Sequence, residues 1–404
     1  MKTTELLAPA GNLNKLVYAL AYGADAVYCG LPDFSLRYRV NDFTYTDLRE
    51  ARRLTLAQGK KLYLTVNIFP HLAHLKKLAS HVEKIKKIGA DALIVSDPGI
   101  ISYIKEVWPE VAIHLSTQAN CTNWRTAKFW FEQGVSRVIL ARETSLKDIK
   151  EIHKQVPKLE LEVFVHGAMC MSYSGRCLLS SWFTDRSANL GDCTQPCRWK
   201  YNVLLEEKER PGNYFPVEED ANGTYIMNSK DLCLIEHIDK LKKAGVCSFK
   251  IEGRAKSIYY LGNTIKNYRT AIDNPKADKK KLLKELQKMQ NRGYTTGFVF
   301  GEKAEQRFDS SQEKAGWEFC GEVVENEDRG IVIRVHNQIK LGDKIEFIPP
   351  QGEIFSHLVK GIIDEKGTAL MEAHGGQDQR IILSLKKIFV PKTLLRVKLK
   401  EKVE

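Results

Sequence analysis

The chain has 404 residues, with 62 Lys and Arg against 50 Asp and Glu and a net charge of +12. Its 43% hydrophobic and 28% charged residues describe a globular protein and exclude a disordered chain, a collagen-like repeat and a small disulfide scaffold. No apolar run approaches the ~20 residues that cross a bilayer. Met1 to Gly11 leads straight into the strand-like Glu5-Leu6-Leu7-Ala8-Pro9 with no signal-peptide core, so a cytoplasmic protein without membrane contact is expected.

From the N-terminus to about residue 255 one pattern recurs: an amphipathic helix, a glycine, and a short β-rich run. Gly23 precedes Ala26-Val27-Tyr28-Cys29, Gly89 precedes Ala92-Leu93-Ile94-Val95, Gly134 precedes Arg137-Val138-Ile139-Leu140, and Gly245 precedes Ser248-Phe249-Lys250-Ile251. Glycine closes a helix at C′, and short apolar runs behind it suit parallel strands buried on both faces. Strands are predicted at 5–8, 26–29, 61–66, 91–96, 112–116, 137–141, 161–165 and 247–251. Eight strands separated by helix-length segments predict an α/β fold, a TIM-like (β/α)8 barrel over residues 1–256. The doubly wound open sheet is less suitable, because the count closes at eight and no glycine-rich dinucleotide turn follows the first strand.

Between the seventh and eighth strands lies a cysteine-rich insertion, 167–246, with its own strand-like Tyr225-Ile226-Met227. Such an insertion falls on the face where barrel enzymes keep their active sites. Residues 257–310 read as a helical connecting segment in which Lys279 to Lys288 form a solvated face. From 317 to 404 apolar and polar residues alternate between turn signals, as in Gly330-Ile331-Val332-Ile333-Arg334-Val335, which predicts a small antiparallel β-barrel. Its basic final stretch, Lys386 to Lys402, suits a phosphate backbone.

The chemistry is concentrated in residues 166–199. Cys170, Cys177, Cys193 and Cys197 lie there among Ser, Gly, Arg, Asp and Gln, and Cys233 follows. A reducing compartment disfavours structural disulfides, so clustered thiols point to metal or redox chemistry. Zinc knuckles pair cysteines two to four residues apart, a spacing that Cys193 and Cys197 approach. Iron–sulfur clusters accept less regular spacings. Spacing alone leaves iron–sulfur, zinc and free thiols open. Cys29, Cys121, Cys247 and Cys320 sit singly near apolar strands and read as packing residues.

These stretches carry a resemblance. The segment from His166 to Trp199, the opening Glu5-Leu6-Leu7-Ala8-Pro9-Ala10-Gly11, the turn Gly23-Ala24-Asp25-Ala26-Val27-Tyr28, Ser229-Lys230-Asp231-Leu232-Cys233 and Lys250-Ile251-Glu252-Gly253-Arg254 together resemble the signature of peptidase family U32, over essentially the whole chain. The resemblance implies the branch of that family that works in tRNA hydroxylation. It implies a 4Fe–4S cluster, tRNA as partner, oxygen-independent formation of 5-hydroxyuridine at the wobble position, prephenate as co-substrate, and a possible homologous partner chain. Carried over by position, the cluster ligands are Cys170, Cys177, Cys193 and Cys233, with Cys197 as the alternative. Leu190 and Asp185 depart from the family pattern, which bears on substrate contacts rather than on the thiols.

Polar residues at the C-terminal ends of the expected strands are Asn67, Asp97, Ser116, Gln118, Arg142, Glu143, His166, Lys250, Glu252 and Arg254. Of these His166, Lys250, Glu252 and Arg254 are the candidate catalytic residues. Lys250, Glu252 and Arg254 alternate and so share a face in an extended strand, suiting an anionic substrate and a proton transfer. A salt-bridge layer at the barrel mouth is the structural counterpart of that reading. Arg176, Arg186, Arg198, Trp182 and Trp199 suit RNA contact, with packing around a metal the preferred expectation. A U32 peptidase is the alternative function, although no His-Glu-x-x-His helix or Gly-x-Ser-x-Gly elbow is present. A metal-stabilised RNA-binding scaffold is the second alternative.

Overall fold

A computed structural model describes residues 4–31, 33–36, 42–170, 172–173, 176–199, 204–206, 208–209, 211–212, 214–216, 229–301, 315–376 and 378–399. The segment Tyr225-Ile226-Met227 and the end of the basic C-terminal stretch, from 400 onward, lie outside them. The chain divides into two compact units, one of Met1–Leu16, Asp25–Ala255 and Asn291–Glu313, the other of Val17–Ala24, Lys256–Gln290 and Lys314–Glu404.

The first unit is built on β1 (Glu5–Pro9), β2 (Ala26–Gly30), β3 (Lys61–Val66), β4 (Ala92–Val95), β5 (Ala112–Leu115), β6 (Arg137–Ile139) and β7 (Glu160–Ala168). Helices α1 (Leu13–Ala21), α2 (Tyr45–Ala57), α3 (Leu72–Ile88), α4 (Pro98–Val107), α5 (Trp124–Glu132) and α6 (Leu146–Gln155) connect them in turn. The insertion follows, with α7 (Leu179–Thr184), the antiparallel hairpin β8 (Leu204–Glu206) and β9 (Tyr214–Pro216), β10 (Asp231–Cys233) and α8 (Ile238–Lys243). Then comes β11 (Val246–Ile251). Successive strands pair in parallel from β1 to β7, and β11 pairs with both β7 and β1, so eight parallel strands close into the expected barrel.

Local sequence accounts for the repeat. The strands are short and apolar, and β4 is buried along its whole length. Helix α3 buries Leu78, Val82, Ile85 and Ile88 on one face, the stripe that packs a helix on a sheet. It ends at Gly89 (φ 74°), and Gly245 (φ 96°) makes the same left-handed turn ahead of β11. Capping boxes start α2 at Thr44 and Asp47 and α6 at Ser145 and Asp148.

Strand β7 runs to Ala168, past the end expected at 165, and so contains His166. The reason is a partner strand from the insertion. β10 pairs antiparallel with the end of β7, Cys233 opposite His166 and Asp231 opposite Ala168, and pairs in parallel with β12 (Tyr294–Thr295). Arg292 anchors β10 by donating to Asp231 and to the Ser229 carbonyl.

In the second unit α9 (Ile258–Asp273) and α10 (Lys279–Gln287) group with an antiparallel sheet. Its strands lie in the order Phe355–Leu358, Lys344–Ile348, Leu394–Lys398, Trp317–Glu327, Gly330–Val335, Arg380–Leu383, Ile362–Ile363 and Ala369–Leu370, a half-barrel around Ile333, Ile345, Phe347, Ile381 and Leu395. Arg396, fully buried, donates to Glu346 of the sheet and to Glu285 of α10 (2.6 Å).

Candidate functional site

The C-terminal ends of the barrel strands open on a cavity of about 210 Å³. Several elements deliver a side chain to its wall: Tyr28 from β2, Ser116 and Gln118 just after β5, Phe164 from β7 and Lys250 from β11. Asn67, Arg142, Glu252 and Arg254 come from the loops that follow β3, β6 and β11. The insertion adds Cys170, Cys177, Cys193, Cys197 and Arg198 to the wall.

Lys250 ties the cavity to a buried ionic network. Lys250 Nζ donates to Glu162 Oε1 (3.0 Å) and lies over the Tyr28 ring, 4.3 Å from its centre. Glu162 Oε2 also accepts from Arg137 Nη1 and Ser248 Oγ, both at 3.0 Å. Arg137 and Ser248 bond in turn to Glu5, which accepts from Tyr63 OH (2.6 Å). Burial opposes ionisation of Glu162, but Lys250 and Arg137 outweigh it and hold the carboxyl down at about 2. Burial lowers the Lys250 ammonium from its ordinary range, with Glu162 opposing. Burial, with Arg137 nearby, pushes His114 down to about 3, so this imidazole is neutral.

The candidates separate by position. Lys250, Glu252 and Arg254 all reach the cavity, and Arg254 is steered by Nη2 donating to the Leu36 carbonyl (2.5 Å). Asn67 accepts from the Leu36 amide (3.2 Å). Arg142 stacks its guanidinium on Phe164, 4.0 Å from the ring centre. His166 is buried in β7, its ring beside Tyr294, and is absent from the described cavity wall. Asp97 instead caps α4, its Oδ1 accepting from the Ile100 amide (3.0 Å). Glu143 is likewise off the described wall.

Among the thiols, Cys170, Cys177, Cys193 and Cys197 share the cavity wall. Burial raises the Cys197 thiol, Arg198 opposes, and Cys170, Cys193 and Cys177 add to the rise, each within electrostatic range of Cys197. Cys233 is buried in β10. Directly opposed residues of an antiparallel pair share a face, so Cys233 shares that of His166, and Asp231 that of Ala168, a cavity residue. Among the described residues no three His, Cys, Asp or Glu side chains already stand in metal-holding geometry. The donor set nevertheless fits a cluster, because four thiols around one cavity are what a cubane takes. Cys29, Cys121 and Cys320 are buried as packing residues, while Cys247 is half-buried with its thiol toward the Leu161 carbonyl.

Sequence reasoning passed over Glu162, Arg137 and Glu5, which form the buried network that holds Lys250. The signal was a charge inside an apolar strand run, as in Leu161-Glu162-Val163. Trp182, for which packing around a metal was the preferred expectation, is 83% exposed.

A closed parallel barrel with thiols, cations and a buried carboxylate gathered at its strand ends defines a (β/α)8-barrel protein with its functional cavity at the usual face. Residues 11–309 match the profile of Peptidase family U32, and residues 315–396 match the Peptidase family U32 C-terminal domain. The chain belongs to Peptidase family U32. It is 43% identical to "tRNA hydroxylation protein P" of Escherichia coli (strain K12), over 92% of this chain and 91% of that one. It is 39% identical to "tRNA hydroxylation protein P1" of Bacillus subtilis (strain 168), over 98% and 95%. It is also 34% identical to a "Collagenase" of Porphyromonas gingivalis (strain ATCC BAA-308 / W83), over 74% of each chain.

Proposed function

We propose that this chain acts in tRNA hydroxylation, forming 5-hydroxyuridine at the wobble position by an oxygen-independent, prephenate-dependent route. The carrying observation is the convergence of thiols and cations on one cavity, in a chain 39% and 43% identical to proteins named for tRNA hydroxylation. Cys170, Cys177 and Cys193 would hold three corners of a 4Fe–4S cluster. Two thiols stand for the fourth: Cys197, on the same wall, and Cys233, on the strand face shared with His166. The cluster would accept or relay electrons at the cavity, because replacing uracil C5–H by C5–OH is a two-electron oxidation.

The chain's own residues bind and orient. Arg142, Lys250 and Arg254 offer three cations to the two carboxylates of prephenate. Glu162 holds Lys250 Nζ in place, and the Glu252 carboxylate, one of two on the wall with Asp192, accepts a proton. The working compartment is the cytoplasm, where tRNA is modified.

Deleting the gene and measuring 5-hydroxyuridine in tRNA tests the reading. A fall is expected, and unchanged levels without a compensating homologue would remove it. Anaerobically purified protein is expected to be brown with about four irons per chain, and Cys177→Ala to lose iron. Comparing Cys197→Ala with Cys233→Ala then assigns the fourth corner to whichever loses iron. The peptidase reading draws on the "Collagenase" relative. Gelatin hydrolysis abolished by Cys170→Ala and indifferent to iron would favour it.

A further inference from the structure

The stretch that brings Cys177, Cys193, Cys197 and Arg198 to the cavity also exposes large side chains that thiol chemistry does not use. Trp182 on α7 is 83% exposed and Leu178 is 75% exposed, with Tyr173, Phe183 and Trp199 open to solvent as well. Phe183 and Trp199 face one another with ring centres 6.0 Å apart. Leu178 directly follows Cys177 and Trp199 directly follows Arg198, so this surface begins at the cavity rim. Large apolar groups left in water beside a cavity mark a binding surface.

We propose that this rim is a stacking platform for the unpaired bases of an RNA loop, one base of which enters the cavity. The inference rests on the RNA substrate proposed above and adds where and how the strand is held.

Three observations select RNA over a protein partner. Four of the five exposed side chains, Tyr173, Trp182, Phe183 and Trp199, are aromatic, and an aromatic face accepts any base. Charge at the rim is complementary to phosphate: Arg198, which directly precedes Trp199, lines the cavity in a chain of net charge +12. Finally, Gln118 is buried in the cavity wall and its Oε1 has no hydrogen-bond partner among the described residues. An amide presents one acceptor and two donors, which match the N3–H and O4 edge of uracil. That edge is available only when the base is unpaired.

The test titrates the full-length protein with a labelled hairpin RNA carrying a uridine-containing loop, and with a fully paired duplex of the same stem, reading fluorescence anisotropy. The hairpin is expected to bind about tenfold more tightly than the duplex. Trp182→Ala is expected to weaken hairpin binding about tenfold, with Trp182→Phe recovering most of the loss. Trp182 is exposed, so the variant folds as the parent does. Hairpin binding unchanged by Trp182→Ala overturns the platform alone, as does equal affinity for hairpin and duplex. A variant that changes oligomeric state and leaves RNA affinity untouched makes the surface a protein interface. Binding of neither RNA overturns both the platform and the RNA substrate.

Discussion

Glu162 shows how one side chain organises the buried ionic network behind Lys250. It is fully buried and accepts from Lys250, Arg137 and Ser248. Removing one partner of a buried ionic group leaves the others uncompensated, so Glu162→Gln is expected to cost about 3 kcal/mol in urea denaturation. A change below about 1 kcal/mol would show that the remaining groups re-pair. The burial of two imidazoles, His114 and His81 of α3, and the cations around Glu162 together predict acid sensitivity. The folded-state values of His114 and His81 are lowered from 6.5 to about 3 and about 4, and that of Glu162 from 4.5 to about 2. Each group binds its proton more readily when unfolded, so its stabilisation is complete above the ordinary value and is lost as pH falls toward the folded one. The denaturation midpoint is expected to drop from pH 6.5 downward, with His114→Gln flattening the upper part of that fall. At this scale the cysteines were legible, because thiols among Ser, Gly and Asp have no packing reason. Glu162 was not, because a carboxylate in a strand gives no hint of the cations it will meet from two other strands.

Elements explain why some conspicuous residues are not at the site. Asp97 ends the β4 run just where barrel chemistry is expected, yet its carboxylate starts α4. Asp97→Ala is expected to cost about 1 kcal/mol in stability while leaving tRNA modification per folded molecule unchanged; a selective loss of modification would return it to the site. Gly245 turns the chain into β11 at φ 96°, and a Cβ there would stand 2.2 Å from the His153 ring. Gly245→Ala is therefore expected to cost about 2 kcal/mol or more by thermal denaturation, from strain and clash together. The glycine–strand repeat made these turns readable in advance. The extension of β7 was not readable, because its backbone partner β10 comes from a distant part of the insertion.

At the scale of the molecule, the net charge of +12 predicts salt-sensitive tRNA binding. Three phosphate contacts would weaken affinity roughly thirtyfold between about 50 and 200 mM salt, and a flat response in filter binding would detach the charge from RNA. Periodicity and composition were enough to settle the eight barrel strands, the alternating C-terminal strands and the collection of thiols in one insertion, since each depends on neighbours a few residues away. Which side chains meet was settled only when the barrel closed. Closure set Lys250 on Glu162, brought Arg142 and Arg254 to the thiol-lined cavity, left His166 off its described wall and put Trp182 in water. Those outcomes depend on strand register and on burial by segments far apart in the chain, which no local pattern encodes.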